Sequence, residues 1–211
     1  MKHFVAIAGN IGVGKSSLTR LLEARLGWEP FYEAVQDNPY LSNFYEDMER
    51  WAFHSQIFFL SRRLQHHRQI CSHPVSAIQD RSVYEDAEIF AQTLFLQGKM
   101  DRRDYTVYRD LYDSVSAFLP PPNLIVYLRA NVDTLLGRIA RRGREFEQGI
   151  SRSYLEQLNE LYDSWIEQFE LCPVLTIAAD EIDFVAQETD LSFITGQILE
   201  QLHRENVMHI A

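Results

Sequence analysis

The chain has 211 residues, 46% of them hydrophobic, with 30 acidic side chains against 20 basic ones and a formal net charge of −10. That length and composition suit one soluble globular domain with a sizeable core and argue against a disordered chain. A sequence-independent nucleic-acid binder carries a basic footprint that this acidic chain lacks.

An apolar run at residues 4–8 reads as a first strand, too short for a signal-peptide core or a membrane span. Leu18, Leu21, Leu22 and Leu26 then mark an amphipathic helix, and residues 28–32 a second strand. Ile57, Leu60 and Leu64 continue a helical pattern toward a third strand at 76–80. Ile89, Phe90, Leu94 and Leu96 mark another helix. Pro120, Pro121 and Pro122 close the helical region before a fourth strand at Leu124–Arg129. Ser153-x-x-Glu156 reads as a capping box opening a helix toward Phe169, and a fifth strand covers 174–177. Strands without alternation, separated by helices, predict an α/β domain around a parallel sheet with right-handed crossovers. Cys71 and Cys172 are too few for a disulfide framework and read as free thiols in a reducing, cytoplasmic setting.

Between the first strand and its helix stands Gly9-Asn10-Ile11-Gly12-Val13-Gly14-Lys15-Ser16-Ser17, which satisfies G-x-x-x-x-G-K-[ST] in strand–loop–helix context. Glycines let the backbone turn its N–H groups inward, and the helix N-terminus adds positive potential. Lys15 is expected against the β- and γ-phosphates and the Ser16 hydroxyl on Mg²⁺, so the chain is expected to bind a nucleoside triphosphate such as ATP. No N-K-x-D guanine signature follows, nor a hydrophobic run ending in paired Asp-Glu. The third strand instead ends in Asp80-Arg81-Ser82, which sets a carboxylate beside the phosphate loop within reach of a magnesium ion, directly or through water. All but Lys2, Lys15 and Lys99 of the basic residues are arginine, and Arg138, Arg141, Arg142 and Arg144 cluster after the fourth strand. Such usage fits bidentate phosphate recognition, and equally a solvated helix face or genome composition.

Together the 9–17 loop, Tyr32-Glu33, Asp80-Arg81-Ser82 with Asp86, and the arginine-rich 138–147 stretch resemble the deoxynucleoside kinases, closest to the deoxyadenosine/deoxyguanosine/deoxycytidine kinase branch. The resemblance runs from the phosphate loop to about Phe184. It implies a P-loop kinase with a three-layer α/β/α build, a five-stranded parallel sheet and an arginine-rich lid at about 138–150. It also implies ATP as phosphoryl donor with Mg²⁺ at Ser16 and Asp80, and a homodimer. Glu33 matches the carboxylate that takes the proton of the sugar 5′-hydroxyl, and Arg81 the arginine beside it. The chain reads Glu33-Ala34-Val35 where many members have Glu-Pro-Val. Tyr45 and Glu147 match contacts to the sugar 3′-hydroxyl. Gln56, Arg63 and Asp86 match a base-reading set, with Arg62 as the alternative if the helix register shifts. Arg138, Arg142 and Arg144 match the lid arginines, Gly143 and Gly149 are candidate hinges, and residues 178–184 resemble the adenine-side loop. One stacking ring suffices for a base, so Trp51, Phe53, Phe58 and Phe59 divide between core and cavity.

The expected activity is ATP-dependent 5′-phosphorylation of a deoxynucleoside, a purine first and deoxycytidine also. Two rivals are a thymidylate-type nucleoside-monophosphate kinase and a non-catalytic nucleotide-binding module. The first requires a cation near Glu33 for the acceptor's phosphate, where Tyr32 stands instead.

Overall fold

In the computed structural model, which describes residues 2–35, 37–147 and 149–208, five strands form one all-parallel sheet in the order β2-β3-β1-β4-β5, with helices on both sides. The strands are β1 (Phe4–Gly9), β2 (Glu29–Phe31), β3 (Ala77–Asp80), β4 (Leu124–Arg129) and β5 (Val174–Ala178). β1 is buried at every position and β4 at all but Arg129, as expected of central strands covered on both faces. β2 is shorter than expected by one residue at each end, which suits its place at the sheet edge, paired only with β3.

Pairing of Ile7 with Asp80 sets the end of β3 beside the end of β1, and the Arg81 N–H continues the ladder to the Ile7 carbonyl at 3.0 Å. The chain winds to one side of β1 through β2 and β3 and then crosses to β4 and β5. The crevice at the carboxyl ends of the strands is therefore where a ligand belongs.

The helices are α1 (Lys15–Leu26), α2 (Leu41–Glu46), α3 (Met48–Ser72), α4 (Val83–Glu85), α5 (Gln92–Leu96), α6 (Arg102–Ser116), α7 (Val132–Arg142), α8 (Arg152–Gln168) and α9 (Glu188–Met208). The 45–56 segment is two helices, because Asp47 leaves helical geometry and caps α3 by accepting from the Arg50 N–H. Tyr45 thus belongs to α2 and Gln56 to α3. Asp86–Ala91 is a π-helical turn joining α4 to α5, an arrangement that often marks a functional site.

One further expectation is corrected. α8 is capped by Ser151, whose Oγ accepts from the Tyr154 N–H, so Ser153 lies inside the first turn. The true capping box is Ser82/Glu85 at α4, where each side chain meets the other's backbone or hydroxyl. Within the 138–150 stretch, α7 runs through Arg142 and Gly143 ends it in left-handed geometry (φ 69°). Only a short connection, including a 3₁₀ turn at Glu145–Glu147, leads from there to α8. Gly149 sits in a turn of that connection.

Candidate active site

The phosphate loop wraps the end of β1 because glycine alone fits there. A Cβ on Gly9 (φ 141°) would stand 2.5 Å from the Leu128 carbonyl oxygen. Gly14 (φ 112°) precedes α1 with no side-chain cap, leaving the first-turn N–H groups of that helix for an anion. The Lys15 Nζ donates to the Gly9 and Asn10 carbonyls at 2.8 and 3.0 Å. Burial pushes its pKa down to about 8, with Arg81 adding to the fall and Asp80, Glu33 and Glu85 opposing it. Asn10 and Val13 hold the loop rather than line it with side chains. Asn10 Nδ2 donates to the Leu155 carbonyl (2.9 Å) and Asn159 Oδ1 (2.8 Å), and Val13 is fully buried. Ile11, Gly12, Ser16 and Ser17 line the cavity mouth.

Beside the loop, the Ser16 Oγ donates to Asp80 Oδ2 at 2.5 Å, and Asp80 Oδ1 is buried without a hydrogen-bond partner. Burial raises the Asp80 pKa against the opposing pull of Lys15. A hydroxyl and a carboxylate with an orphaned oxygen form a hard-oxygen site that suits Mg²⁺, which takes one or two protein oxygens and completes its shell with phosphate and water.

Arg81 is the one non-glycine residue among those described with positive φ, 71°. Its backbone strain costs about 1–2 kcal/mol, and such strain gathers at functional sites. The guanidinium is held on four sides. Nη1 donates to the Tyr162 hydroxyl at 2.9 Å and lies 3.7 Å from Glu85 Oε1, the ring of Phe90 lies 4.2 Å away, and Nε is 2.8 Å from Glu33 Oε1. Glu85 is fully buried. It accepts from the Gly9 N–H (3.2 Å), the Ser82 N–H (2.7 Å) and the Ser82 hydroxyl (3.1 Å), and Tyr162 lies 2.7 Å from it. Glu85 and Tyr162 therefore weld the phosphate loop to Asp80-Arg81-Ser82, a role the expected motif set omitted. The Ser82-x-x-Glu85 spacing was the available signal.

Glu33 follows β2 on an irregular segment and keeps 19% of its side-chain surface exposed. Arg63 Nη2 donates to its Oε1 at 3.0 Å. Burial alone would raise this carboxyl, but Arg81, Arg63 and Lys15 outweigh it and hold the pKa down at about 2. Arg63 is buried on α3 and turned toward Asp86 and Glu33, while Arg62 is exposed against Gln65 and Phe58. Arg63 also grips Asp86 through Nε (3.1 Å) and Nη2 (3.2 Å).

A cavity of about 1590 Å³ joins these groups. It exceeds the ~300–1,000 Å³ of a single-ligand pocket and has room for two substrates. Gln56, Asp86, Phe59, Phe90, Tyr45 and Tyr154 line one part, and the phosphate loop and residues 180–186 the other. Gln56 Oε1 is buried and unpartnered. Of the four aromatics in doubt only Phe59 reaches the cavity, and Trp51 instead stacks on Tyr40. Tyr45 has its pKa raised, by burial first and then by Tyr154, Glu147 and Glu33.

Arg138 donates to the Val13 carbonyl (2.7 Å) and the Ala179 carbonyl (2.8 Å), bracing the loop against the end of β5. Arg142 and Arg144 both clasp Glu147, at 2.5 and 3.3 Å. Arg141 also lines the cavity.

The deoxynucleoside kinase family profile matches residues 5–203. The chain belongs to the deoxynucleoside kinase family. It is 40% identical over 201 residues to a deoxyadenosine/deoxycytidine kinase of Bacillus subtilis (strain 168), covering 94% of this chain and 93% of that one. It is 35% identical over 201 residues to the deoxyguanosine kinase of the same organism, covering 93% and 96%. A solved structure of deoxyadenosine kinase from M. mycoides with bound dATP superposes with a TM-score of 0.82 at 31% identity, covering 92% of this chain and 98% of that one. As a member of this kinase family the protein is a transferase. Among the described residues no helix is long and apolar enough to cross a membrane.

Proposed function

We propose that the protein transfers the γ-phosphoryl group of ATP to the 5′-hydroxyl of a deoxynucleoside, releasing ADP and the 5′-monophosphate. The observation that carries this reading is the Glu33 carboxylate, held through Oε1 by Arg63 and Arg81 at the cavity that the phosphate loop also lines. Both arginines sit on one oxygen, so Oε2 is left to receive the 5′-hydroxyl proton as the new O–P bond forms and the bond to ADP breaks. A carboxylate of pKa about 2 is a weak base, and its contribution is to orient the nucleophile. That suits phosphoryl transfer, where positioning and electrostatics supply most of the catalysis.

Lys15, the loop N–H groups and the lid arginines Arg138, Arg142 and Arg144 bind the triphosphate, with closure excluding water. Mg²⁺ at Ser16 and Asp80 would offset charge on the phosphates. Tyr45 and Glu147 bind the sugar.

Asp86, gripped by Arg63, presents an acceptor to the base, and Gln56 adds an unpartnered amide oxygen. The Gln56 amide also offers a donor beside that acceptor, so an edge that sets an exocyclic amine next to a ring-nitrogen acceptor, as in adenine and cytosine, satisfies both residues. Deoxyadenosine and deoxycytidine are therefore the expected acceptors. The relatives do not favour a monophosphate kinase, and both arginines beside Glu33 are committed to carboxylates.

Val107 and Leu111, one turn apart on α6, and Phe118 beyond it are exposed and supply the contact for a second copy in a homodimer working in the cytoplasm. γ-Labelled ATP offered with deoxynucleosides and their monophosphates tests the reading. Label on deoxyadenosine and deoxycytidine is expected, and transfer only to monophosphates overturns it.

A further inference from the structure

Lys15, Arg81, Arg138, Arg141, Arg142 and Arg144 are the lysine and arginine side chains that line the cavity. All but Arg141 are already committed. Lys15 holds the Gly9 and Asn10 carbonyls, Arg81 holds Tyr162 and Glu33, and Arg138 holds the Val13 and Ala179 carbonyls. Arg142 and Arg144 are paired with Glu147. Arg141 is exposed and, among the described residues, has neither a hydrogen bond nor an ion pair.

Its place on α7 decides which ligand it meets. That helix runs along the phosphate loop. A Cβ on Gly12 would stand 2.7 Å from the Ile139 side chain, and Arg138 reaches the Val13 carbonyl at 2.7 Å. Arg141 follows Arg138 by three residues, so it shares that side of the helix, ~4.5 Å further along the axis. Gly137, four residues before Arg141, lines the cavity too, and a Cβ there would meet nothing within 4 Å. Between Gly137 and Arg141 the helix therefore offers an unobstructed shelf beside the phosphate loop. Across the cavity stand Asp180, Glu181 and Asp183, which repel a polyanion and leave its attraction to the arginine side. A basic run is usually a solvated helix face; here the unpaired member of the run opens on the cavity.

We propose that Arg141 binds the phosphate chain of the donor nucleotide, as a lid cation additional to Arg138, Arg142 and Arg144. It meets an incoming triphosphate without first giving up a bond, whereas Arg142 and Arg144 have to leave Glu147. Its planar fork matches two phosphate oxygens. The family resemblance accounts for the other three lid arginines and leaves this one without a role.

The inference rests on the donor half of the reading above, that the phosphate loop binds ATP, and not on transfer to a deoxynucleoside. Calorimetric titration of the native enzyme with ATP tests that half separately. No ATP binding overturns both, whereas ATP binding without transfer to any deoxynucleoside overturns the kinase reading alone.

Arg141→Gln is expected to raise the Kd for ATP about tenfold, the lower end for one charge-assisted hydrogen bond. Inorganic tripolyphosphate, measured by competition with ATP, should weaken by a similar factor, and the Kd for deoxyadenosine should stay within about twofold of native. In turnover, KM for ATP rises and kcat at saturating ATP stays within about threefold, the pattern of lost ground-state binding. Arg204→Gln removes an exposed charge of α9 outside the cavity and should leave ATP affinity unchanged. An ATP Kd within about twofold of native in Arg141→Gln overturns the proposal, as does an equal loss in Arg204→Gln, the mark of bulk charge alone. A loss for ATP without one for tripolyphosphate overturns it as well, because the side chain would then meet the base or sugar. A fall in kcat with ATP affinity unchanged also overturns it.

Discussion

Replacing Tyr162 with phenylalanine removes one oxygen from a network that is closed to water. The hydroxyl accepts from Arg81 Nη1 at 2.9 Å, and its own proton faces Glu85 Oε1 at 2.7 Å and the Gly9 carbonyl at 2.9 Å. Burial, with help from Glu85 and against Arg81, holds its pKa far above the ordinary phenol value, so that proton is always present. The substitution keeps the ring and its stack on Tyr127 and creates almost no cavity. Its cost is polar. An N–H of a buried guanidinium loses its acceptor and a buried carboxylate loses a donor, each a charge-assisted bond of about 1.5–3 kcal/mol. The lower end for two bonds is about 3 kcal/mol. At about 2–4 °C per kcal/mol for a chain of this size, Tm falls by about 6–12 °C. Arg81, released on one side, loses its fixed place against Glu33, and kcat falls about tenfold or more while KM for ATP changes less. Calorimetry and steady-state kinetics on Tyr162→Phe read both effects. A Tm within about 2 °C of native together with unchanged kcat refutes the reasoning.

Glu33→Gln removes the charge that orients the 5′-hydroxyl and receives its proton, and should lower kcat by roughly 10²-fold or more with ATP affinity nearly unchanged by calorimetric titration. Near-native turnover would remove Glu33 from the mechanism. Gly9→Ala places a Cβ 2.5 Å from a backbone oxygen at φ 141°, and neither partner is free to yield. A loss of about 3 kcal/mol or more is expected in thermal unfolding, and a native Tm would contradict the loop geometry. The pH dependence follows from two shifts. Glu33, depressed to about 2, stays ionised, so kcat should show no acid limb from its titration between pH 5 and 8. Lys15, depressed to about 8, loses its charge above that pH, and kcat/KM for ATP should decline there. Over the same interval, from about 8 to the ordinary lysine value of 10.5, the unfolded chain binds the extra proton. Lys15 therefore contributes rising stability to the ligand-free enzyme as pH increases. ATP affinity that stays flat through pH 9.5 contradicts the Lys15 assignment.

Features whose chemistry is local in the chain were readable before any fold was known. The phosphate loop needs its glycines, lysine and serine at fixed spacing because one turn of backbone must cradle an anion, and residues 9–17 show that spacing directly. The strand pattern was equally legible, because β1 and β4 are buried on both faces and their residues are apolar without alternation. Helix starts were less so. Ser153-x-x-Glu156 and Ser82-x-x-Glu85 are the same motif in sequence, but Ser151 won the cap of α8 because its hydroxyl meets the Tyr154 N–H. The spacing favours Ser153 over Ser151, which has Tyr154 three residues on, and only the built turn shows Ser151 to be the cap.

The sequence by itself determined the family, the phosphate chemistry and the identities of Lys15, Glu33, Asp80 and Arg81 as candidate site residues. Only the tertiary structure decided what holds them. Tyr162 is 81 residues from Arg81 and 77 from Glu85, and Arg63 reaches Glu33 across 30 residues. Contacts between remote elements depend on how helices α3 and α8 pack against the sheet, and no local periodicity encodes the direction of one buried side chain toward another. A buried guanidinium or carboxylate must find its partners wherever packing places them, because leaving a charge unpaired there costs more than a folded chain of this size has to spare.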